Sequence, residues 1–439
     1  MSLLILARRL CAIRYHISPW LVPVLLLTVA CAPITPAPPA PTPLPTSTST
    51  PRPTPSLPPP PTASPTPVAV RLVLWENLPP AQSSALAADV RAFEATQPYY
   101  SLDVQHYDST QALVQAVTGE TVDFHLALGN ADLARALQSP GLVAPLDETF
   151  PREFLESFAS PAVTGVTWTG HIWGLPDTAG MHLLLFYNRD LVAVPPANTE
   201  EMYTVAESFT QEGHWGLALN SFDPLWIVPW LWAYGGWLTD SQGNPTLDIP
   251  PMVSALTLYL SWHGQLTGVA PLATYAEARD LFLSGGAAML IDGDWAIGEL
   301  SQTQQVNWGV APLPAVGETG QPAAPLVVGR YWLMRSELSE PERAAAADFL
   351  SFITRPERQL EWTQQFGVLP TRTEALKDPL ILTDPYLRVS AQQMQAGRGL
   401  LLGVDANHVF DAMRVPLRAV LEGDMVPQEA AQAMQAAIK

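Results

Sequence analysis

Apolar residues along the chain fall into short blocks of two kinds. Val70–Trp75 is a nearly continuous apolar run, closed by Glu76-Asn77-Leu78-Pro79-Pro80, and reads as a strand buried on both faces. Leu86, Val90 and Phe93 then recur at helical spacing, and Leu102, Val104 and His106 alternate as a strand does. Ala112–Val117 reads as a short helix. Val122–Leu128 is a third apolar strand, running through Gly129-Asn130 into a helix over Ala131–Gln138. Strand–helix alternation of this kind predicts a mainly parallel sheet with helices on both faces. Ligands of such sheets collect beyond the carboxyl ends of the strands, which places Trp75-Glu76-Asn77 and Gly129-Asn130 on one rim.

A second strand–helix run begins at His182–Tyr187 and continues through Trp215–Leu219 into the tryptophan-rich segment 223–236. Met252–Trp262 and Tyr275–Leu283 read as helices, the second closed by Gly285-Gly286. Ala287–Ile291 is a strand that delivers Asp292-Gly293-Asp294-Trp295 at its end. Further helices follow Val327, and Ser339–Glu342 and Thr354–Glu357 have the spacing of capping boxes. The fold class expected is α/β in two sheet-based halves.

The first residues differ from all this. Arg8, Arg9 and Arg14 precede an apolar stretch, Ile17 to Ala30, that Pro19 and Pro23 interrupt and that is short for a membrane span of about 20 residues. It ends in Leu27-Thr28-Val29-Ala30-Cys31, which reads as an export signal over 1–31 with Cys31 as the lipidated residue, an uncleaved N-terminal anchor helix being the alternative. Cys11 would leave with the signal, so the processed chain would hold no cysteine pair for a disulfide. Residues 32–67 are almost wholly Pro, Thr, Ser and Ala, too poor in apolar side chains to fold, and read as a tether. At about 3.1 Å per residue in polyproline II it would reach roughly 110 Å.

Charge and tryptophan content narrow the ligand. The chain carries 41 Asp and Glu against 22 Lys and Arg, and Lys377 and Lys439 are its only lysines. This composition disfavours nucleic acid, whose binding needs clustered cations. Tryptophans such as Trp226, Trp230, Trp237, Trp295 and Trp332 stand near element ends and together suggest a cleft with flat apolar walls, although burial in a core is the usual fate of each. Such walls suit sugar rings. A surface hydrolase is the rival class, yet no G-x-S-x-G, H-E-x-x-H or catalytic cysteine is present. The histidines have no metal-ligand spacing, and Asp292-Gly293-Asp294, which could be a metal-binding D-x-D, is explained by the resemblance described below as a turn leading to Trp295. No metal and no cofactor is expected.

Several ordered segments carry a resemblance. Gly170-His171-Ile172-Trp173-Gly174-Leu175-Pro176, then Leu184-Leu185-Phe186-Tyr187-Asn188-Arg189-Asp190-Leu191, then Phe282-Leu283-Ser284-Gly285-Gly286-Ala287-Ala288-Met289 are followed by Gly293-Asp294-Trp295. Gly309-Val310-Ala311-Pro312-Leu313-Pro314 and Phe366-Gly367-Val368-Leu369-Pro370-Thr371-Arg372 complete the series. In this order they resemble the family 1 extracellular solute-binding proteins of ABC importers, from Val68 to the C-terminus.

The resemblance implies a two-lobed periplasmic-binding-protein-like fold of type II, with discontinuous lobes joined by hinge crossings near Pro176–His182, Val327–Trp332 and Leu380–Tyr386. Lobe one would take 68–178 with 330–382, and lobe two 182–328 with 386–439. It further implies a receptor that presents a small polar solute, a carbohydrate foremost, to permease subunits; with the anchor read at Cys31 this receptor is expected as a monomer at the outer face of the membrane, and a sensing role without transport stays open. Trp295 matches the family's stacking tryptophan. Asp223 matches a hydroxyl-binding carboxylate, with an Asx turn before Pro224 as the alternative, and Trp226 lies beside it. Phe410 matches an aromatic from a late helix, with a core role as the alternative. Glu76 and Asn77 follow the first strand where polar contacts are expected. Arg330 and Trp332 sit on a crossing strand. Pro79-Pro80 replaces the family's charged pair, which sets maltodextrin specificity in question.

Overall fold

The computed structural model describes residues 69–117, 122–263 and 268–438. The expected signal with Cys31 and the 32–67 tether lie outside the described residues. The described strands are β1 (Val70–Glu76), β2 (Tyr100–His106), β3 (Leu126–Asn130), β4 (Thr167–Trp168), β5 (His171–Ile172), β6 (Leu175–Gly180), β7 (Leu183–Asn188), β8 (Trp215–Leu219), β9 (Ala287–Gly293), β10 (Trp308–Ala311), β11 (Val328–Met334) and β12 (Leu369–Pro370). One sheet has the order β12-β6-β11-β3-β1-β2 and a second the order β10-β7-β9-β8.

β1 runs parallel to both β2 and β3, as the strand–helix alternation predicts. The later strand β11 enters antiparallel between β3 and β6, and β12 pairs antiparallel with β6. The first sheet is therefore mixed, because part of it is supplied by chain that has already visited the second sheet.

Period-two alternation distributes each strand's side chains between two cores. In the first sheet Leu72, Leu74, Leu126, Leu128, Trp332 and Met334 face one core, while Val73, Trp75, Ala127, Tyr331 and Leu333 face the other. In the second sheet Leu183, Leu185, Leu217, Leu219, Met289 and Ile291 pack on one side, and Leu184, Phe186, Ala218 and Leu290 on the other. With both faces covered, the strands read in sequence as unbroken apolar runs. Truncating one of these leucines to alanine costs about 2–5 kcal/mol.

The chain passes from β6 to β7 with only Met181 and His182 between, and it returns to the first sheet between β10 and β11. The helix Pro385–Ala396 packs against both sheets' surroundings. Its Tyr386 stacks on Trp308 with centroids 4.3 Å apart, while Ala391 and Met394 join a small cluster with Ala179, Val327 and Leu369. Its Gln393 accepts from the Leu313 N–H at 2.7 Å and donates to the Ala323 carbonyl at 3.1 Å.

Capping follows the sequence in one expected place and departs in another. Ser339 and Glu342 form a reciprocal box, and so do Thr274 and Glu277. Thr354–Glu357 does not: Thr354 ends the preceding helix and turns its hydroxyl back to the Leu350 carbonyl at 2.7 Å, so Arg355 precedes Pro356 as the cap of the next helix without a side-chain bond. Among the described residues no helix is long and apolar enough to cross a membrane.

Candidate ligand-binding cleft

The Met181–His182 crossing organises the site. Met181 adopts φ +61°, a conformation non-glycine side chains rarely take, and its side chain remains half exposed. Its N–H donates to Asp294 Oδ1 at 2.9 Å, and the His182 carbonyl accepts from the Asp294 N–H at 3.0 Å. His182 is fully buried, with Nε2 3.0 Å from Ser390 Oγ and Nδ1 3.6 Å from Asp294 Oδ2. Burial holds the His182 imidazole below its ordinary pKa and pushes the Asp294 carboxyl up. The turn after β9 is thus tied to the crossing, and Trp295 is the next residue.

A cavity of about 250 Å³ opens beside this crossing. Its first wall is the N-terminal end of the helix Ala131–Gln138 with Asn130, which caps that helix by accepting from Leu133 N–H at 3.1 Å. Its second wall contains Leu225 and Phe410 from segments packed on the second sheet. A strap, residues 398–405, completes it with Leu400, Leu401, Leu402 and Val404. The strap is fixed by paired backbone bonds between Arg398 and the 325–327 segment, and by Leu402 N–H to the Thr167 carbonyl at 3.1 Å. Arg135 bonds the Val404 carbonyl at 3.1 Å and pairs with Asp132 at 3.0 Å and Asp405 at 3.3 Å. A larger hollow of about 510 Å³, around Phe150, Phe158 and Ile172, holds none of the ligand-contact residues expected from the sequence.

Of those residues, Asn130 and Phe410 line the cavity itself. Asp223 caps the short turn Pro224–Trp226 by accepting from Leu225 N–H at 3.0 Å, so the Asx turn is present, and it carries Leu225 to the cavity wall. Trp295 is half-buried, lies edge-on to Trp226 at 6.3 Å and donates its indole N–H to Tyr275 Oη at 2.8 Å. Its ring covers Gly293, where a Cβ would sit 2.0 Å from the indole. Behind it Asp292 lies 3.5 Å from Tyr275 Oη and 3.7 Å from Arg279, and burial pushes its pKa up to about 7.

The other tryptophans have internal partners. Trp226 and Trp230 are core residues that donate to the Ile291 and Trp226 carbonyls, and Trp332 donates to Asp177 Oδ1 at 3.0 Å. Trp237 stands edge-on to Trp232, with Arg398 over both rings. Arg330 is held within the first-sheet half by Asp177 at 2.8 Å and Gln82 at 2.6 Å. Glu76 is buried, accepting from Leu78 N–H and Ser83 Oγ and paired with His106, while Asn77 donates to Thr110. Met181, Leu225, Leu400, Leu401 and Asn407 also line the cavity and were not singled out from the sequence; the Leu400-Leu401-Leu402 run between glycines was the available signal. Among the described residues no cluster of His, Cys, Asp and Glu is arranged to hold a metal.

The sequence profile of bacterial extracellular solute-binding proteins matches residues 88–388. This chain belongs to that family. The maltotriose-binding protein of Pyrococcus abyssi (strain GE5 / Orsay) is 28% identical over 335 residues, spanning 74% of this chain and 72% of the relative. A maltose/maltodextrin-binding domain from Bdellovibrio bacteriovorus, solved with maltotriose, is 27% identical with TM-score 0.63, covering 84% of this chain and 98% of that one. The cyclic alpha-maltosyl-1,6-maltose binding protein of Arthrobacter globiformis superposes with TM-score 0.74 at 21% identity, covering 84% and 98%. The solute-binding protein has the two-lobed periplasmic-binding-protein fold, and its relatives are binding proteins rather than enzymes.

Proposed function

We propose that this solute-binding protein captures a carbohydrate or similar small polar solute between its lobes and presents it to the permease of an ABC importer, tethered to the outer membrane face through Cys31. The lobes are 68–178 with 330–382 and 182–328 with 386–439, and they close about the Met181–His182 crossing. The observation that carries this reading is the cavity at that crossing, walled by both halves and by the strap, in a family of solute receptors. Relatives named for maltotriose and maltodextrins make an α-glucan the first ligand to try.

Within this reading Phe410 and Trp295 offer ring faces to a sugar's C–H surface, while Asn130 and Asp223 serve its hydroxyls. The remaining expected contacts, Glu76, Asn77, Trp226, Trp230, Trp237, Arg330 and Trp332, act from behind by holding the walls. At about 250 Å³ the cavity lies just below the usual range of roughly 300–1,000 Å³ for small-molecule sites, which suits one or two rings. A ligand shifts the open–closed balance only by its preference for the closed form.

Thermal unfolding of the full chain against a sugar panel tests the proposal. A ligand at 100 times its Kd adds about 2.7 kcal/mol of stability. Small-angle scattering should show compaction with the same ligand. Unchanged melting and scattering across the panel would refute a sugar receptor, and product appearing with time would refute a receptor of any kind.

A further inference from the structure

The cavity walls are drier than a bare carbohydrate requires, and the following rests on the carbohydrate reading above. Met181, Leu225, Leu400, Leu401 and Phe410 present carbon and sulfur to the cavity. Of the polar side chains on the lining, Asn130 begins the helix Ala131–Gln138 and Asn407 lies in the first turn of the helix Ala406–Glu422, the two helices being joined at that end by the Arg135–Asp405 ion pair, while Tyr331 sets its hydroxyl beside Gly165. Arg135 and Asp132 at that end are already paired with each other. A sugar with hydroxyls on every side would leave several of them against thioether and leucine carbons, unpaired and out of water, which opposes binding.

Met181 points the same way. It is 49% exposed, an unusual state for a large apolar side chain at a left-handed backbone position, and the bond from its N–H to Asp294 fixes that position on the cavity's lining. The Leu400-Leu401-Leu402 run is likewise held in place by the strap's backbone bonds and Leu402's bond to Thr167. Concave apolar surface maintained against water marks a binding site.

We propose that the physiological ligand is a glycoside: a sugar seated at the Asn130–Asn407 end, carrying an aromatic aglycone that fills the space between Met181, Leu225, Leu401 and Phe410. The aglycone supplies the apolar surface these walls match, and the sugar supplies the hydroxyls the two asparagines meet.

Isothermal titration of the full chain with matched methyl and 4-nitrophenyl pairs of α-glucoside, α-maltoside and β-galactoside tests it. At least one 4-nitrophenyl glycoside should bind ten-fold or more tightly than its methyl partner. Met181→Gln and Leu401→Asn should each bring the ratio of 4-nitrophenyl to methyl glycoside affinity below three-fold, whatever they do to both affinities together. Met181 is exposed, so M181Q carries the test if L401N fails to fold. Equal binding within every pair that binds overturns the aglycone site and leaves the carbohydrate reading standing. Binding of 4-nitrophenol alone with none of the glycosides overturns the carbohydrate reading itself, and this proposal with it.

Discussion

The Met181 N–H donates to the Asp294 carboxylate at 2.9 Å across the point where the chain leaves the first sheet for the second. One bond therefore couples the backbone of the crossing, about which the proposed closure would turn, to the turn that carries Trp295. Removing the acceptor as Asp294→Ala strands that N–H and takes away the charge facing buried His182, and should cost about 1–3 kcal/mol in urea unfolding. Met181→Gly relieves a left-handed conformation that costs an L-residue about 1–2 kcal/mol, so it should offset part of this by adding stability. A stabilised D294A variant would contradict the coupling.

Asp292 gives the protein a pH dependence of definite sign. Burial raises its pKa to about 7, whereas an aspartate in the unfolded chain titrates near about 3.9. Between these values the folded protein holds a proton that the unfolded chain has lost, so stability falls as pH rises through that window and is unchanged above it. Asp89, raised to about 6 by burial, acts in the same direction, so Asp292→Asn should flatten the curve rather than level it. Urea midpoints at pH 5, 6, 7 and 8 measure this; equal slopes in wild type and D292N would show that Asp292 titrates normally.

Much of this architecture is written locally, and much of the cleft is not. Strand β1 is legible because a strand covered on both faces must be apolar at every position, and Leu72/Leu74 against Val73/Trp75 divide between two cores as period two demands. The antiparallel entry of β11 escapes such reading, since its neighbours β3 and β6 lie far away in sequence. Tryptophan content signals large rings without saying where they go. Trp230 and Trp332 are spent on internal hydrogen bonds whose acceptors, the Trp226 carbonyl and Asp177, only the tertiary structure supplies. Thr354 has capping-box spacing, but a hydroxyl one residue from a helix end can also turn back to the preceding turn, and here it does. The strap is the extreme case, because its position depends on pairing with 325–327 and Thr167.

Arg330 separates a ligand contact from a structural cation. Its guanidinium engages Asp177, which also receives the Trp332 indole N–H, and lies over the Trp362 ring at 5.2 Å. Arg330→Met leaves the nearly buried Asp177 carboxylate without its ion-pair partner and with only the Trp332 N–H, and should cost about 3–5 kcal/mol of stability. The folded fraction should bind sugar with unchanged Kd. A variant of normal stability with weakened binding would place Arg330 in the ligand's own contact set instead.

Arg135 reaches from the first-sheet half to the strap, where it meets the Val404 carbonyl and Asp405. The partner carboxylate is half exposed, so Arg135→Ala should change stability by no more than about 1 kcal/mol. Its effect should appear in ligand release, because the strap forms one wall of the cavity: stopped-flow dissociation is expected to accelerate several-fold with little change in association. Asp405→Ala removes the same contact and also the cap that accepts from Asn407 N–H at 3.1 Å, adding about 1 kcal/mol of destabilisation. Unchanged release rates in both variants would show that the strap moves with neither closure nor ligand.

Trp295 and Trp230 give the sharpest contrast in the site. Trp230 has no exposed surface, packs edge-on to Trp262 at 5.0 Å and donates to the Trp226 carbonyl, so Trp230→Ala opens a large cavity and should cost about 3–5 kcal/mol. Trp295 is half-buried, tied to Tyr275, and stands directly after the Asp294 that holds the crossing. Its truncation leaves a wall instead of a void, so Trp295→Ala should destabilise less than Trp230→Ala while weakening sugar binding ten-fold or more. Trp295→Phe, which keeps a ring but loses the bond to Tyr275, should recover part of that affinity. If W295A bound as tightly as wild type, the ring would be packing on Gly293 alone, and Phe410 would be left as the aromatic face available to a sugar.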